Sequence, residues 1–119
     1  MAHIINLPTF KDVRGSLTVV EKILPFEIKR FYYMYGVNLQ RGGHRHKKTI
    51  QALISLGGGC EIYTHNGEVE KIFLLDNPGK CLILDSKDWH TMDKFSKATT
   101  LLVFSSEYYD ENDYIDERY

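Results

Sequence analysis

Cysteine is scarce in this chain: Cys60 and Cys81 stand alone among 119 residues. Their separation matches neither a zinc knuckle nor a disulfide framework, so both are expected as small buried thiols. Long apolar runs are missing too. Stretches such as residues 52–56 fall far short of the roughly 20 residues that a membrane helix needs, so no membrane span is expected. An excess of one charge is also absent, because 15 basic residues nearly cancel 16 acidic ones. That balance offers no broad positive field to a nucleic-acid backbone or an anionic bilayer, and any anionic ligand must be met by a local site. Residues 1–10 lack the basic and apolar regions of a secretory leader, which makes a cytoplasmic location the expectation. No helical period, repeat, linker or low-complexity segment interrupts the chain.

What is present is a series of short β-rich runs. Lys11-Asp12, Gly42-Gly43, Gly57-Gly58-Gly59, Asn66-Gly67, Asn77-Pro78-Gly79 and Asp85-Ser86 read as turns, because Gly, Pro, Asn and Asp each supply backbone geometry that strands avoid. Between them, residues 16–21, 28–35, 50–56, 60–64, 69–75, 81–84 and 99–105 are rich in β-branched and aromatic side chains. The pattern predicts an all-β sandwich or barrel. A hydrophobic content of 43% over 119 residues fills one core, so residues 1–119 are expected as a single domain. Asn66-Gly67 predicts a hairpin from residues 61–64 to Val69 and beyond, closed by a type I′ turn. The acidic, aromatic tail over residues 107–119, with Tyr108, Tyr109 and Tyr114, predicts a short helix or extended arm that covers a sheet edge.

The segment richest in chemistry is Arg41-Gly42-Gly43-His44-Arg45-His46. Two histidines one residue apart face the same way on a strand. Such a pair suits metal ligation or acid–base work, since histidine titrates near neutral pH; an isolated His-x-His is otherwise commonly an exposed rim pair. A later Trp89-His90 offers a third imidazole. Metal-binding cupins place a glutamate after their histidine pair, and here Gln51 stands in that place. A neutral amide is a weak metal donor, which disfavours a metal.

Upstream, alternation puts Arg30, Tyr32 and Met34 on one strand face and Phe31, Tyr33 and Tyr35 on the other. Turned inward, Arg30 and Tyr32 provide a cation and a phenol for an anionic substrate or developing oxyanion; turned outward, they are a solvated charge and amphipathic filler. Asp12-Val13-Arg14-Gly15-Ser16 sets a basic side chain beside a glycine at a strand start. Arg14 there can grip a phosphate, although an Arg-Gly turn is by itself usually only a turn.

In combination and order, Asp12-Val13-Arg14-Gly15-Ser16-Leu17, the run from Pro25 through Tyr33, Arg41-Gly42-Gly43-His44-Arg45-His46-Lys47-Lys48, Trp89-His90, and the run from Tyr108 through Ile115 resemble the sugar 3,4-ketoisomerase family of cupins. The resemblance spans nearly the whole chain. It implies a jelly-roll β-barrel that acts on dTDP-4-keto-6-deoxyglucose as a homodimer without a cofactor, in making amino-deoxysugars for bacterial surface polysaccharide. Arg45 departs from the family pattern, which usually has a small residue between the histidines, and is expected on the opposite strand face.

The expected reaction moves the keto group from C4 to C3 through an enediolate. His46 is expected as the base, His44 as proton shuttle or oxygen partner, and Tyr32 as a further catalytic group. Arg14, Arg30, Arg41, Gln51 and His90 are expected to contact substrate, with Arg41 and Arg14 suited to diphosphate or sugar oxygens. The competing readings are a 3,5-epimerase, which begins with the same deprotonation, a cupin that binds a sugar nucleotide without turnover, and a metal-dependent dioxygenase.

Overall fold

The computed structural model describes residues 1–119. Twelve strands run in chain order as β1 (His3–Asn6), β2 (Thr9–Asp12), β3 (Gly15–Thr18), β4 (Arg30–Tyr35), β5 (Arg41–His46), β6 (Gln51–Leu56), β7 (Cys60–His65), β8 (Glu70–Leu75), β9 (Lys80–Leu84), β10 (Trp89–Asp93), β11 (Thr100–Ser105) and β12 (Tyr114–Ile115). The only helical element is a 3-10 turn over Glu111–Asp113, and no helix is long and apolar enough to cross a membrane.

Ten strands form two five-stranded antiparallel sheets, ordered β1-β9-β6-β11-β4 and β12-β5-β10-β7-β8. Leu53, Ile62, Leu75, Leu82, Leu84, Met92, Leu101 and Val103 form the larger buried cluster, as expected when one face of each sheet turns inward. A second cluster gathers Leu7, Ala52, Ile54, Cys81 and Ile83, against which Val20, Ile23, Leu24 and Phe26 pack. The stretch after β3 therefore works as a cover rather than a strand. Its expected extension to residue 21 ends at Thr18, and Lys22 adopts a left-handed backbone with φ of 52°.

Three expectations about turns are corrected. Lys11-Asp12 lies inside β2, paired with Ser16 and Gly15, and the turn itself is Val13-Arg14. Gly42-Gly43 lies inside β5, not between strands. Pairing runs His90 with His44 but Thr91 with Gly42, so Gly43 is the extra residue of a β-bulge, and both glycines hold positive φ of 85° and 83°. A Cβ on Gly42 would lie 2.9 Å from the His90 carbonyl oxygen, so the bulge admits no larger residue there without backbone movement. The hairpin at Asn66-Gly67 exists, but His65 pairs with Glu70 and leaves four loop residues. Only Gly67 has positive φ. Asn66 instead accepts through Oδ1 from the Glu68 and Val69 amides, each at 2.9 Å, which is an Asx-type closure rather than a type I′ turn.

The tail does cover an edge: β12 pairs with β5, Tyr114 opposite His46 and Ile115 opposite Arg45. Cys60 and Cys81 are buried and unpaired, with both thiols pushed up to about 11 by burial. The β2–β3 hairpin stands apart as its own two-stranded sheet, with every residue of β2 exposed.

Candidate active site

Strand alternation and the β5 bulge bring three imidazoles together. His44 and His46 share one face of β5, with ring centroids 5.1 Å apart. His90, on β10 directly opposite His44, lies 5.0 Å from His44 and 6.3 Å from His46. Arg45 points the other way, its guanidinium 4.4 Å over the Tyr119 ring, as its odd position on the strand requires.

Two of the three imidazoles are oriented by hydrogen bonds. His46 Nδ1 lies 3.0 Å from Asp113 Oδ2, and both side chains are buried. Burial alone would raise Asp113, but the Thr49 hydroxyl, the Lys48 amide and His46 hold its carboxyl below the ordinary value. An ionised Asp113 makes Nδ1 of His46 the protonated nitrogen and leaves Nε2 as a free base. Burial, the leading cause, keeps the His46 pKa below its ordinary value despite that carboxylate, with the Arg30 charge acting in the same direction. His90 Nδ1 lies 3.0 Å from the Asp88 carbonyl, which likewise fixes the proton on Nδ1. Burial, then the neighbouring His44, lowers His90 to about 3, and burial followed by His46 lowers His44 to about 4. All three rings are therefore neutral near pH 7.

The facing sheet supplies Gln51, Tyr32 and Arg30, and β5 itself adds Arg41. Gln51, on β6, is 2% exposed and donates from Nε2 to the Tyr32 hydroxyl at 3.2 Å. The Tyr32 proton is thereby free to be donated elsewhere, and burial raises its pKa so that the phenol keeps that proton. Arg30 packs 4.3 Å over the Tyr32 ring and 5.2 Å over Tyr109. Arg41, exposed at the start of β5, is close enough for its charge to act on the Tyr32 phenol. His46 Nε2, His90 Nε2 and Gln51 Oε1 are buried with no hydrogen-bond partner. Such atoms are rare in folded proteins, and three acceptors in one cluster fit a hydroxyl-bearing ligand. No group of three His, Cys, Asp or Glu side chains is arranged to hold a metal ion.

Seven of the eight expected residues thus belong to one neighbourhood: His44, His46, His90, Tyr32, Arg30, Gln51 and Arg41. Arg14 does not. It sits at the tip of the β2–β3 hairpin, its side chain 86% exposed and paired with Asp12, without contact to any of the other seven. Two residues were missed by sequence reasoning, Asp113 and Tyr114, and their signal was the expected edge-covering tail. The Tyr114 ring stands 4.7 Å from both His44 and His46.

Two antiparallel sheets with histidines and a phenol between them define a cupin barrel. The family described as "FdtA: WxcM-like, C-terminal" matches residues 1–119. A TDP-4-oxo-6-deoxy-α-D-glucose-3,4-oxoisomerase of Aneurinibacillus thermoaerophilus is 40% identical over 116 residues, covering 94% of this chain and 84% of the relative. Among solved structures, a 3,4-ketoisomerase from Helicobacter canadensis is 40% identical with a TM-score of 0.92, covering 98% of this chain and 90% of its own. The 3,4-ketoisomerase QdtA from Thermoanaerobacterium thermosaccharolyticum, a histidine-to-asparagine variant in complex with TDP-4-keto-6-deoxyglucose, is 40% identical with a TM-score of 0.93. The alignment covers 98% of this chain and 87% of that one. The chain belongs to the FdtA family of sugar 3,4-ketoisomerases.

Proposed function

We propose that this chain moves the keto group of dTDP-4-keto-6-deoxyglucose from C4 to C3, with His46 as the base. The observation that carries the reading is the Asp113–His46 contact at 3.0 Å, with His46 Nε2 buried and unpartnered. A neutral imidazole whose other nitrogen is held by a carboxylate is a base fixed in direction and tautomer.

The C4 carbonyl acidifies the hydrogen on C3. His46 Nε2 takes that proton, the C3–H electron pair becomes the C3=C4 double bond, and the C4 oxygen gains the negative charge. Tyr32 donates its free phenol proton toward that oxygen as a hydrogen bond. The O3–H proton then passes by way of His44 to the C4 oxygen, which becomes the hydroxyl, the C3–O electron pair forms the new carbonyl, and C4 takes a proton from the protonated His46, which restores the base. His44, 5.1 Å from His46 by ring centroids, carries protons between the oxygens, while His90 Nε2 and Gln51 Oε1 accept from sugar hydroxyls. Arg30 and Arg41 face the anionic end of the substrate. The reaction is redox-neutral overall and balances without an added cofactor.

The working unit in this reading is a cytoplasmic homodimer. Its support is the exposed hairpin, where Phe10, Val13 and Leu17 face solvent beside Arg14, which its own subunit does not bring to the histidines. A symmetric pair can place the Arg14 of one copy at the partner's site.

The test is incubation of the chelator-treated protein with dTDP-4-keto-6-deoxyglucose in deuterated water, followed by NMR of the sugar carbons. A 3-keto product with deuterium at C4 is expected. Deuterium at C3 and C5 with the keto group still at C4 would replace this reading with 3,5-epimerisation. Binding without exchange would replace it with a non-catalytic sugar-nucleotide cupin, and activity returning only on metal addition would show a metal-dependent enzyme.

A further inference from the structure

Tyr114 lies on β12, a strand of only two residues, and pairs with His46 across the edge of the second sheet. Its ring centroid is 4.7 Å from His44 at an interplanar angle of 60°, and 4.7 Å from His46 at the same angle. The two imidazoles stand edge-on to one another at 87°, with Tyr114 packed against both. Tyr109 lies beyond it at 5.8 Å. So short a strand cannot hold a wedge by pairing alone, and the chain fastens it on both sides. On one side Lys47 donates its amide to the Asp113 carbonyl at 2.8 Å. On the other, Trp89 Nε1 donates to the Asp116 carbonyl at 3.1 Å, Arg45 packs over Tyr119, and the Tyr119 hydroxyl donates to the Lys87 carbonyl at 2.8 Å.

We propose that Tyr114 is a positioning residue for the isomerisation: its ring closes the outer side of the His44–His46 pair, fixing the angle between the imidazoles and keeping water from them. The contacts with both histidines are made by the ring, and tilted aromatic packing of this kind orients as well as buries. The charged and titratable groups around the pair are Asp113 from the 3-10 turn, Asp116 from the tail, Arg30 from β4, His90 from β10 and the phenols of Tyr32 and Tyr114. None of these is removed when the ring alone is cut away, apart from the Tyr114 phenol itself. Burial is the leading cause of the low pKa of both histidines, so opening the outer side returns both toward the ordinary value of about 6.5.

The proposal rests on the reading of His46 as the base, and a measurement without substrate separates the two. The ring Cε1 protons of His44 and His46 are titrated by NMR in the intact protein and in Tyr114→Phe, Tyr114→Leu and Tyr114→Ala, and turnover of dTDP-4-keto-6-deoxyglucose is measured against pH for each. The Phe variant is expected to keep both titrations and to stay within about twofold in kcat, because the ring remains. The Ala variant is expected to raise both titration points, move the acid limb of kcat upward with them, and lower kcat about tenfold while KM changes little. Leu, which keeps apolar bulk without a flat face, is expected between the two and serves if Ala does not fold. Equal damage from Phe and Ala would overturn the proposal by assigning the role to the hydroxyl. Unchanged histidine titrations in Ala or Leu would overturn it whatever the enzyme turns over.

Discussion

The histidine cluster and the β2–β3 hairpin both carry polar side chains outside the main hydrophobic core, and they are built on opposite terms. In the cluster two groups are held by distant parts of the chain, His46 by Asp113 at 67 residues' separation and Tyr32 by Gln51 at 19, while His90 is held locally by the Asp88 carbonyl. The hairpin is held by itself. Thr9 faces Thr18 across the two strands, and Asp12 pairs with Arg14 in the turn between them. Long-range contacts fix geometry because many packed elements must move together to break them, whereas an exposed pair within a turn fixes little. The cluster is therefore fixed by the fold around it, whereas the exposed hairpin is fixed by little beyond its own pairing.

The largest break in this comparison comes from His46→Ala. It removes the proposed base and leaves the Asp113 carboxylate without its imidazole partner, and kcat is expected to fall by about 10²–10⁴. Steady-state kinetics beside the deuterium exchange experiment checks this, and a variant with more than a tenth of the normal kcat would move the base elsewhere. The next effect uses the hairpin. Arg14→Ala is expected to leave thermal stability within about 0.5 kcal/mol, as for other exposed substitutions, while lowering activity roughly tenfold or more through lost diphosphate contact. Mixing Arg14→Ala with His46→Ala subunits under exchange conditions sharpens the comparison. If Arg14 serves the partner's site, each mixed dimer keeps one complete site and activity recovers to about a quarter of normal. Absence of recovery in demonstrably mixed dimers would place Arg14 in its own subunit's site or in none.

The unequal legibility of the two regions has physical causes. His44 and His46 could be read because strand alternation is local, and the inward set of Arg30, Tyr32 and Met34 follows from the same period. Strands β6, β7, β9 and β11 were visible because their side chains are apolar and β-branched. Strands β5 and β10 were not delimited, since Arg41-Gly42-Gly43-His44-Arg45-His46 is rich in glycine and charge and Trp89-His90-Thr91-Met92-Asp93 has no apolar β-branched run, so both depend on pairing with their neighbours. The glycine pair looked like a turn and is a bulge, because the same positive φ serves both. Asp113 and Tyr114 could not be assigned: a role that depends on a contact across the fold leaves no local pattern. The tail was legible as an edge cover, but not as the element whose Asp113 orients the His46 ring.

Acid separates the regions most gently. His44 titrates at about 4 and His90 at about 3 in the folded chain, burial being the first cause of each, against about 6.5 for an unfolded histidine. A lowered histidine pKa means that the unfolded chain binds more protons than the native one between these values, so stability rises with pH there. The contribution is complete above about pH 6.5 and is lost as pH falls toward the folded values of about 4 and 3. The hairpin has a carboxylate of its own: Asp12 is held low by the Arg14 side chain. It sits at the surface, however, where solvent screens the pair, and it responds only at the acid end below the ordinary carboxylate range. Thermal melts from pH 7.5 to 4.5 are thus expected to show Tm falling steadily as the pH is lowered. A His90→Gln variant, which keeps an uncharged polar side chain at the buried position, should flatten part of that slope, whereas Arg14→Ala should leave it unchanged. A melt curve level across this range in the intact protein would mean that the imidazoles are not held neutral by burial, and a slope removed by Arg14→Ala would shift the acid sensitivity to the hairpin.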